Sequence, residues 1–185
     1  MQYKVLNINI YLTFAKQHKN LYISLYLQQI QYFMTLSPSK LNTFLFFKLP
    51  SAFWCGVRVQ TISNVNCSTR VKYKWFNQNP FNSMYFAVQA MAAELSTGAL
   101  VVSQIKSSGK NVSMLVANNK ATFTKKAIGR ITFTCNDGKL SEEAIQKTIA
   151  TGEGQTVWMQ SIGTDEKGDQ VSVFDFEWTV KLKTP

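Results

Sequence analysis

The sequence predicts an α+β domain in which one antiparallel sheet wraps around a single long helix. Three observations predict it. From about Asn82 to Val102, apolar residues recur at a three-and-four spacing, and much of the helix circumference is apolar. After Ser107-Ser108-Gly109 the pattern switches to period two, as strands require. Two short strands precede the helix. A helix this greasy needs a cover, and a curved sheet supplies one.

The elements follow in chain order. Ser37-Pro38 reads as an N-cap and first helical position, Leu41, Phe44, Leu45 and Lys48 fall at helical spacing, and Pro50 is the expected stop. Arg58 to Ile62 and Cys67 to Phe76 read as strands around a turn near Asn64-Val65-Asn66. In the second, Arg70, Lys72 and Lys74 share one face, which leaves Val71, Tyr73 and Trp75 for the core. Asn77 to Pro80 is a loop. The long helix carries Phe81, Tyr85, Val88, Ala92, Leu95, Ala99 and Val102 on one stripe. Strands are expected at Val112–Ala117, Ala121–Lys126 and Ala127–Cys135. A short helix is expected from Ser141 to about Ala150, with Glu142 and Glu143 in its first turn and Gly152 beyond its end. Gln155–Ile162 and Val171–Leu182 close the domain as a hairpin around the turn at residues 164–169.

Composition excludes several classes. The chain has 185 residues, 45% of them hydrophobic and 16% charged, which excludes disordered and collagen-like chains. No run of 18 apolar residues occurs, so no membrane span is expected. Cys55, Cys67 and Cys135 form no CxxC pair, so neither a disulfide framework nor a zinc site is expected. The lone His18 lies outside the predicted core, which disfavours histidine chemistry there. Lys+Arg number 20 against Asp+Glu 10, and nine bases precede the first acid, Glu94. Such a balance fits anionic partners or simply a solvated basic face.

Residues 1–33 differ from the rest: they contain no Asp, Glu, Gly, Pro, Arg, Cys or Trp. We expect a non-domain extension over 1–33 and one domain over 34–185. The hypothesis is that the natural start is Met34. A Lys-bearing targeting segment is the alternative, and intact-mass measurement of the protein from its own source separates the two.

The segment KYKWFNQNPFNSMYFAVQAMAAELSTGALV, with the ending DEKGDQVSVFDFEWTVKL, resembles the hotdog-fold acyl-CoA thioesterase superfamily. It is most similar to the branch of phenylacetic-acid-degradation thioesterases, over roughly Leu49 to Lys183. That family carries Asn before the helix, His-Gly or His-Ala-Gly at its start, and a carboxylate nine residues after the His. Asn79 matches the Asn and Glu94 the carboxylate, whereas Tyr85 stands in the His position and Ala87 in that of Gly. The resemblance implies a hotdog fold, an acyl-CoA substrate and sites at the interface of a homodimer or dimer of dimers. It implies a cytoplasmic location and no metal; coenzyme A enters only as part of the substrate.

Thioester hydrolysis needs an activated water or an attacking carboxylate, and donors for the developing oxyanion. Glu94 is the candidate base or nucleophile; the bland alternative is a helix-surface carboxylate. Backbone N–H groups around Tyr85, Phe86 and Ala87 are the candidate oxyanion donors. Tyr85 either donates a hydrogen bond or packs in the core. Asn79 either orients water and substrate or shapes its loop. Ser83 is expected to cap the helix, with substrate contact as its second role, and Met91 lies among the substrate-contacting positions. Arg70, Lys125, Lys126 and Arg130 either grip coenzyme A phosphates or are merely solvated. Nucleic-acid binding is disfavoured, because the aromatics of Tyr73–Phe76 alternate away from the bases. A non-catalytic acyl-binding module is the rival reading, and a dehydratase is disfavoured for want of a histidine. Tyr85 to Glu94 spans about 13 Å of helix, too far for one thioester to touch both ends. One subunit's helix start would therefore meet the other's Glu94.

Overall fold

The computed structural model describes residues 36–183; the expectations for residues 1–33 lie outside them. The sheet has six strands in the order β1-β2-β4-β5-β6-β3: β1 Arg58–Ile62, β2 Cys67–Lys72, β3 Val112–Phe123, β4 Arg130–Cys135, β5 Gln155–Thr164 and β6 Gln170–Leu182. Every described pairing is antiparallel. The helices are α1 Pro38–Lys48, α2 Pro50–Trp54, α3 Phe86–Ser108 and α4 Gly138–Thr151. The curved sheet wraps α3 in a hotdog fold, as expected. Among the described residues α3 alone is long and apolar enough to cross a membrane, and 67% of that window is buried here as core.

Polar pins tie α3 to the sheet. Thr69 Oγ1 of β2 donates to the Ala92 carbonyl at 2.7 Å. Ser96 and Ser161 share a hydrogen bond of 2.8 Å. Ser172 Oγ donates to Gln89 Oε1, and Trp178 Nε1 donates to Thr97 Oγ1, each at 3.0 Å. Each buried hydroxyl thus has its partner inside an otherwise apolar contact. The pins fix the helix in rotation as well as position. Against them packs a core that includes Leu100, Phe133, Met159 and Phe174.

Several boundaries differ from expectation, each for a local reason. Pro50 ends α1 and also opens α2, with Leu49 serving as C-cap of one and N-cap of the next. Strand β2 stops at Lys72 because the buried Asn77 side chain intervenes. Its Nδ2 donates to the carbonyls of Lys72 and Cys55, and its Oδ1 accepts from Lys74 N. Trp75–Asn77 therefore close a 3₁₀ turn that turns Trp75 and Phe76 outward, 81% and 62% exposed. The expected core position of Trp75 is corrected, and with it the ground for disfavouring a nucleic-acid surface.

Helix α3 begins at Phe86 rather than Asn82, because Met84 N–H pairs with the Ala127 carbonyl and Tyr85 N–H with that of Asn77. Phe81 leaves the helical stripe altogether and stands exposed. The helix also runs past Val102 to Ser108, ending on Gly109 at φ 63°. Gln104, just beyond the expected end, is buried, and its Nε2 donates to the Asn64 carbonyl.

The two strands expected over 112–126 are one, kept continuous by a bulge against β6 near Val116. Asn118 to Lys120, where the break was expected, are exposed residues within it. The next strand starts at Arg130, after Gly129 turns the chain at φ 74°. Helix α4 starts at Gly138, so Glu142 and Glu143 fall beyond its first turn.

At Gly138 a Cβ would lie 2.3 Å from the Asn64 carbonyl oxygen and 2.6 Å from Val65 Cα. Backbone cannot yield there as a side chain tip could. Gly138→Ala is expected to lower unfolding free energy in urea by about 1–3 kcal/mol, the usual range for overpacking.

Candidate functional site

Among the described residues, two cavities that share no lining residue flank α3. The first encloses about 240 Å³ between α1, α3 and β3. Its walls are chiefly apolar, with Leu41 and Phe44 on one side, Leu95 and Val102 on the other, and Met114 from the sheet. Glu94 supplies its only carboxylate, with Lys40 and Lys106 at its margins. The position of Glu94 follows from helical geometry. At about 100° per residue, Ala87, Met91, Glu94, Gly98 and Val102 lie on the flank turned away from the pinned residues Gln89, Ala92 and Ser96. That flank is half-buried except at Gly98.

Gly98 makes room for the carboxylate. A Cβ there would lie 3.6 Å from Glu94 Oε1 and 3.1 Å from the Trp178 ring. The Trp178 indole, anchored through Thr97, thus shapes the wall beside Glu94. Sequence reading missed both; the signal was a glycine kept in mid-helix, where Ala is about 1 kcal/mol better. The Glu94 side chain has no hydrogen-bond or ion-pair partner among the described residues. Burial raises its pKa above the ordinary carboxylate value, because low-dielectric surroundings penalise the charged form.

The second cavity is wider, about 540 Å³, and lies at the start of α3. It gathers Asn79, Ser83, Tyr85, Phe86, Lys125 and Lys126. Asn79 organises its own loop: its Oδ1 accepts from Phe81 N at 2.9 Å and its Nδ2 donates to Ser83 Oγ at 3.0 Å. The expected capping role of Ser83 is corrected. Ser83 is two residues ahead of the N-cap, Tyr85, and is buried against Asn79. Tyr85 does not pack in the core; it is half-exposed, edge-on to Phe86 with centroids 4.9 Å apart. Its N–H is engaged with Asn77, so the helix N–H groups left without a partner among the described residues are those of Phe86 and Ala87. Gln89, also missed, lines this cavity while its amide donates to the Met84 carbonyl.

The basic residues divide. Lys125 Nζ is held by Asp165 at 2.7 Å and Asp169 at 2.6 Å, contacts that raise its pKa and lower that of Asp165. Lys126 Nζ donates to the Phe81 carbonyl at 3.1 Å. Arg130 pairs with Glu166, and Arg70 lies opposite Arg58 on β1; neither lines a cavity. Ala87 and Met91 line neither cavity, but share the Glu94 flank of α3. Cys67 and Cys135 face each other across β2 and β4, and burial pushes both thiols up to about 12, which leaves no ready nucleophile.

Fold and site together define a hotdog protein with a carboxylate in an apolar slot. The chain belongs to the family described as a domain of unknown function, DUF4442, which it matches over residues 25–180. Solved structures share the architecture. One from Pseudomonas aeruginosa, described as a probable thioesterase, is 19% identical with a TM-score of 0.67, covering 80% of this chain and 99% of its own. A protein of unknown function from Chlorobaculum tepidum is 12% identical with a TM-score of 0.68 and the same coverage. A thioesterase from Haemophilus influenzae is 13% identical with a TM-score of 0.59, covering 80% of this chain and 92% of its own. No curated protein matches the chain.

The raised pKa of Glu94 has a sign that stability can report. Below the carboxyl's unfolded value both states are protonated and burial costs nothing. As pH rises through the folded value, the folded state must ionise a poorly solvated group and loses stability. Glu94→Gln is therefore expected to unfold at higher urea than wild type at pH 7, and at equal urea near pH 4.

Proposed function

We propose that this protein hydrolyses acyl thioesters of coenzyme A at a site shared by two copies of the chain. The observation that carries the reading is the Glu94 carboxylate, its pKa raised, in the wall of an apolar slot suited to an acyl chain. Glu94 removes a proton from water, whose oxygen attacks the thioester carbonyl. The oxyanion forms against the Phe86 and Ala87 N–H groups of the other copy, at the positive end of its α3 dipole. The carbon–sulfur bond then breaks, and the thiolate takes the proton from Glu94. The products are a carboxylic acid and free coenzyme A.

A second copy is needed because one helix cannot bring both ends to one carbonyl. Strand β3 offers the join: it forms a sheet edge twelve residues long, and most of its side chains are exposed. Two edges paired antiparallel around a two-fold axis would make two sites. Near the helix start, Lys126 is better placed than Lys125 to meet phosphate, since Asp165 and Asp169 already neutralise Lys125. Thioesterase names among the fold neighbours favour the same chemistry. A cytoplasmic location accompanies this substrate class, and no resident cofactor or metal takes part.

Binding without turnover is the second reading. Asn79, engaged by its own loop, and Tyr85, in the usual histidine position, favour it. A panel of acyl-CoAs with free-thiol detection decides between the two. Wild type is expected to release thiol, with Glu94→Gln slower by about a hundredfold or more, as for loss of a general base. Unchanged turnover in the variant removes Glu94 from the mechanism, and saturable binding with no thiol release selects the binding module.

A further inference from the structure

The first acid in the chain is Glu94 and the second Asp137, so residues 1–136 carry a single carboxylate, and it faces the first cavity. The surface built by α1, α2, β1, β2 and the Trp75–Asn77 turn has none of its own. That surface is also the most aromatic on the described domain. Phe47, Phe46, Phe53 and Trp54 form a chain of edge-on contacts, with successive centroids 4.8, 5.0 and 6.0 Å apart. Phe47 and Trp54 are 70% and 66% exposed.

Two devices join these rings to the basic face of the sheet. Asn77 binds the Cys55 carbonyl at the end of α2, which ties the turn carrying the exposed Trp75 and Phe76 to the end of that helix. Arg58 lies 3.6 Å over the Phe53 ring and donates to the Phe53 carbonyl, while its strand position opposes Arg70. Arg58, Arg70 and Lys72 alternate with the buried Val59, Thr69 and Val71, so they share the outer face of the sheet. Exposed Lys48 follows Phe47 on α1. Carboxylates border the sheet side only from later elements: Glu166 is paired to Arg130, the β4 neighbour of Lys72, and Asp137 precedes Gly138, whose N–H bonds the Val65 carbonyl in the β1–β2 turn. Arg58 is lowered in pKa by burial and then by the like charge of Arg70, a crowding of cations that no acid relieves.

We propose that this surface docks on an anionic phospholipid membrane, its exposed rings entering the headgroup boundary and its cations meeting lipid phosphates. Aromatic tips and Lys or Arg side chains are the groups that favour that boundary. The charge of Lys48, Arg58, Arg70 and Lys72 is all of the complementary sign. The surface is also continuous with the apolar cavity: Phe44 and Leu49, neighbours of Phe46, Phe47 and Pro50, line its wall. A membrane at this face would lie beside a slot suited to an acyl chain. Nucleic acid fits less well. The rings meet edge to face, Arg58 occupies the face of Phe53, and few faces stand open in parallel for bases to stack. The inference is independent of whether Glu94 turns substrate over.

Sedimentation of the full chain with phosphatidylcholine vesicles, with and without phosphatidylglycerol, tests it. Binding is expected only to the anionic vesicles, and to weaken as salt rises. Phe47→Ala with Trp75→Ala is expected to lower binding by roughly a hundredfold, about tenfold for each ring lost from the boundary. Lys48→Glu with Lys72→Glu is expected to lower it by more than about tenfold. All four positions are exposed, so the melting temperature should not move, and a shift matched by lost binding is read instead from Phe47→Leu with Trp75→Leu, which keeps apolar bulk and should retain most binding. Absence of binding to anionic vesicles overturns the proposal. So does binding that both variants retain, which would place it elsewhere in the chain. Binding of a single-stranded oligonucleotide without vesicle binding, or a smaller oligomer in the aromatic variant, would assign the surface to nucleic acid or to a second copy and also overturn it.

Discussion

The structure depends on how α3 is held in rotation. Leu100, Val101 and their neighbours give the helix its burial, but apolar contact alone tolerates a turn of the helix about its axis. Hydrogen bonds to Ala92, Gln89, Ser96 and Thr97 do not. A rotated helix would bury their partners Thr69, Ser161, Ser172 and Trp178 without satisfaction, at about 1–3 kcal/mol each. Summed, that penalty rivals the total stability of a small domain. The pins therefore choose one rotation.

That choice places Glu94. With Gln89, Ala92 and Ser96 turned to the sheet, Glu94 and Gly98 must face the other way, into the slot under α1. The same constraint separates the two halves of the proposed chemistry. Phe86 lies at one cavity, with the free N–H of Ala87 next along the helix, while Glu94 lines the other, and no local rearrangement of a rigid helix joins them. The distance is a property of α3 itself. On the proposed reading it leaves one chain with half a site, and two copies paired antiparallel along β3 with two whole ones.

The fold was legible because its determinants are periodic. The long helix, the alternating β6 and the turn at 164–169 all declared themselves through spacing, and Gly152 marked its helix end as written. Glu94 was legible too, as a lone carboxylate in apolar company. What escaped was set by single long-range hydrogen bonds. Nothing local in Asn77 shows that it will end β2, hold α2 and turn Trp75 outward. Nothing in Ser83 shows that Met84 will pair with Ala127 and delay the helix. Nothing local in Gln104 shows that the helix will run on past Val102, because its partner, the Asn64 carbonyl, lies 40 residues away. The Asn118–Lys120 stretch looked like a turn because an exposed edge strand tolerates residues that a central strand would not.

The shared site is the central claim, and subunit mixing tests it most directly. In the proposed mechanism Glu94→Gln removes the base and Asn79→Ala unmakes the loop that leads into the Phe86 end of α3, so each variant alone should be nearly inactive toward acyl-CoA. If the two are unfolded together and refolded as an equal mixture, half the dimers pair one of each. Each mixed dimer carries one intact site of two, so about a quarter of wild-type activity should return. A mixture that forms mixed dimers and stays as inactive as its parents would contradict the account, as would a wild-type monomer with full turnover.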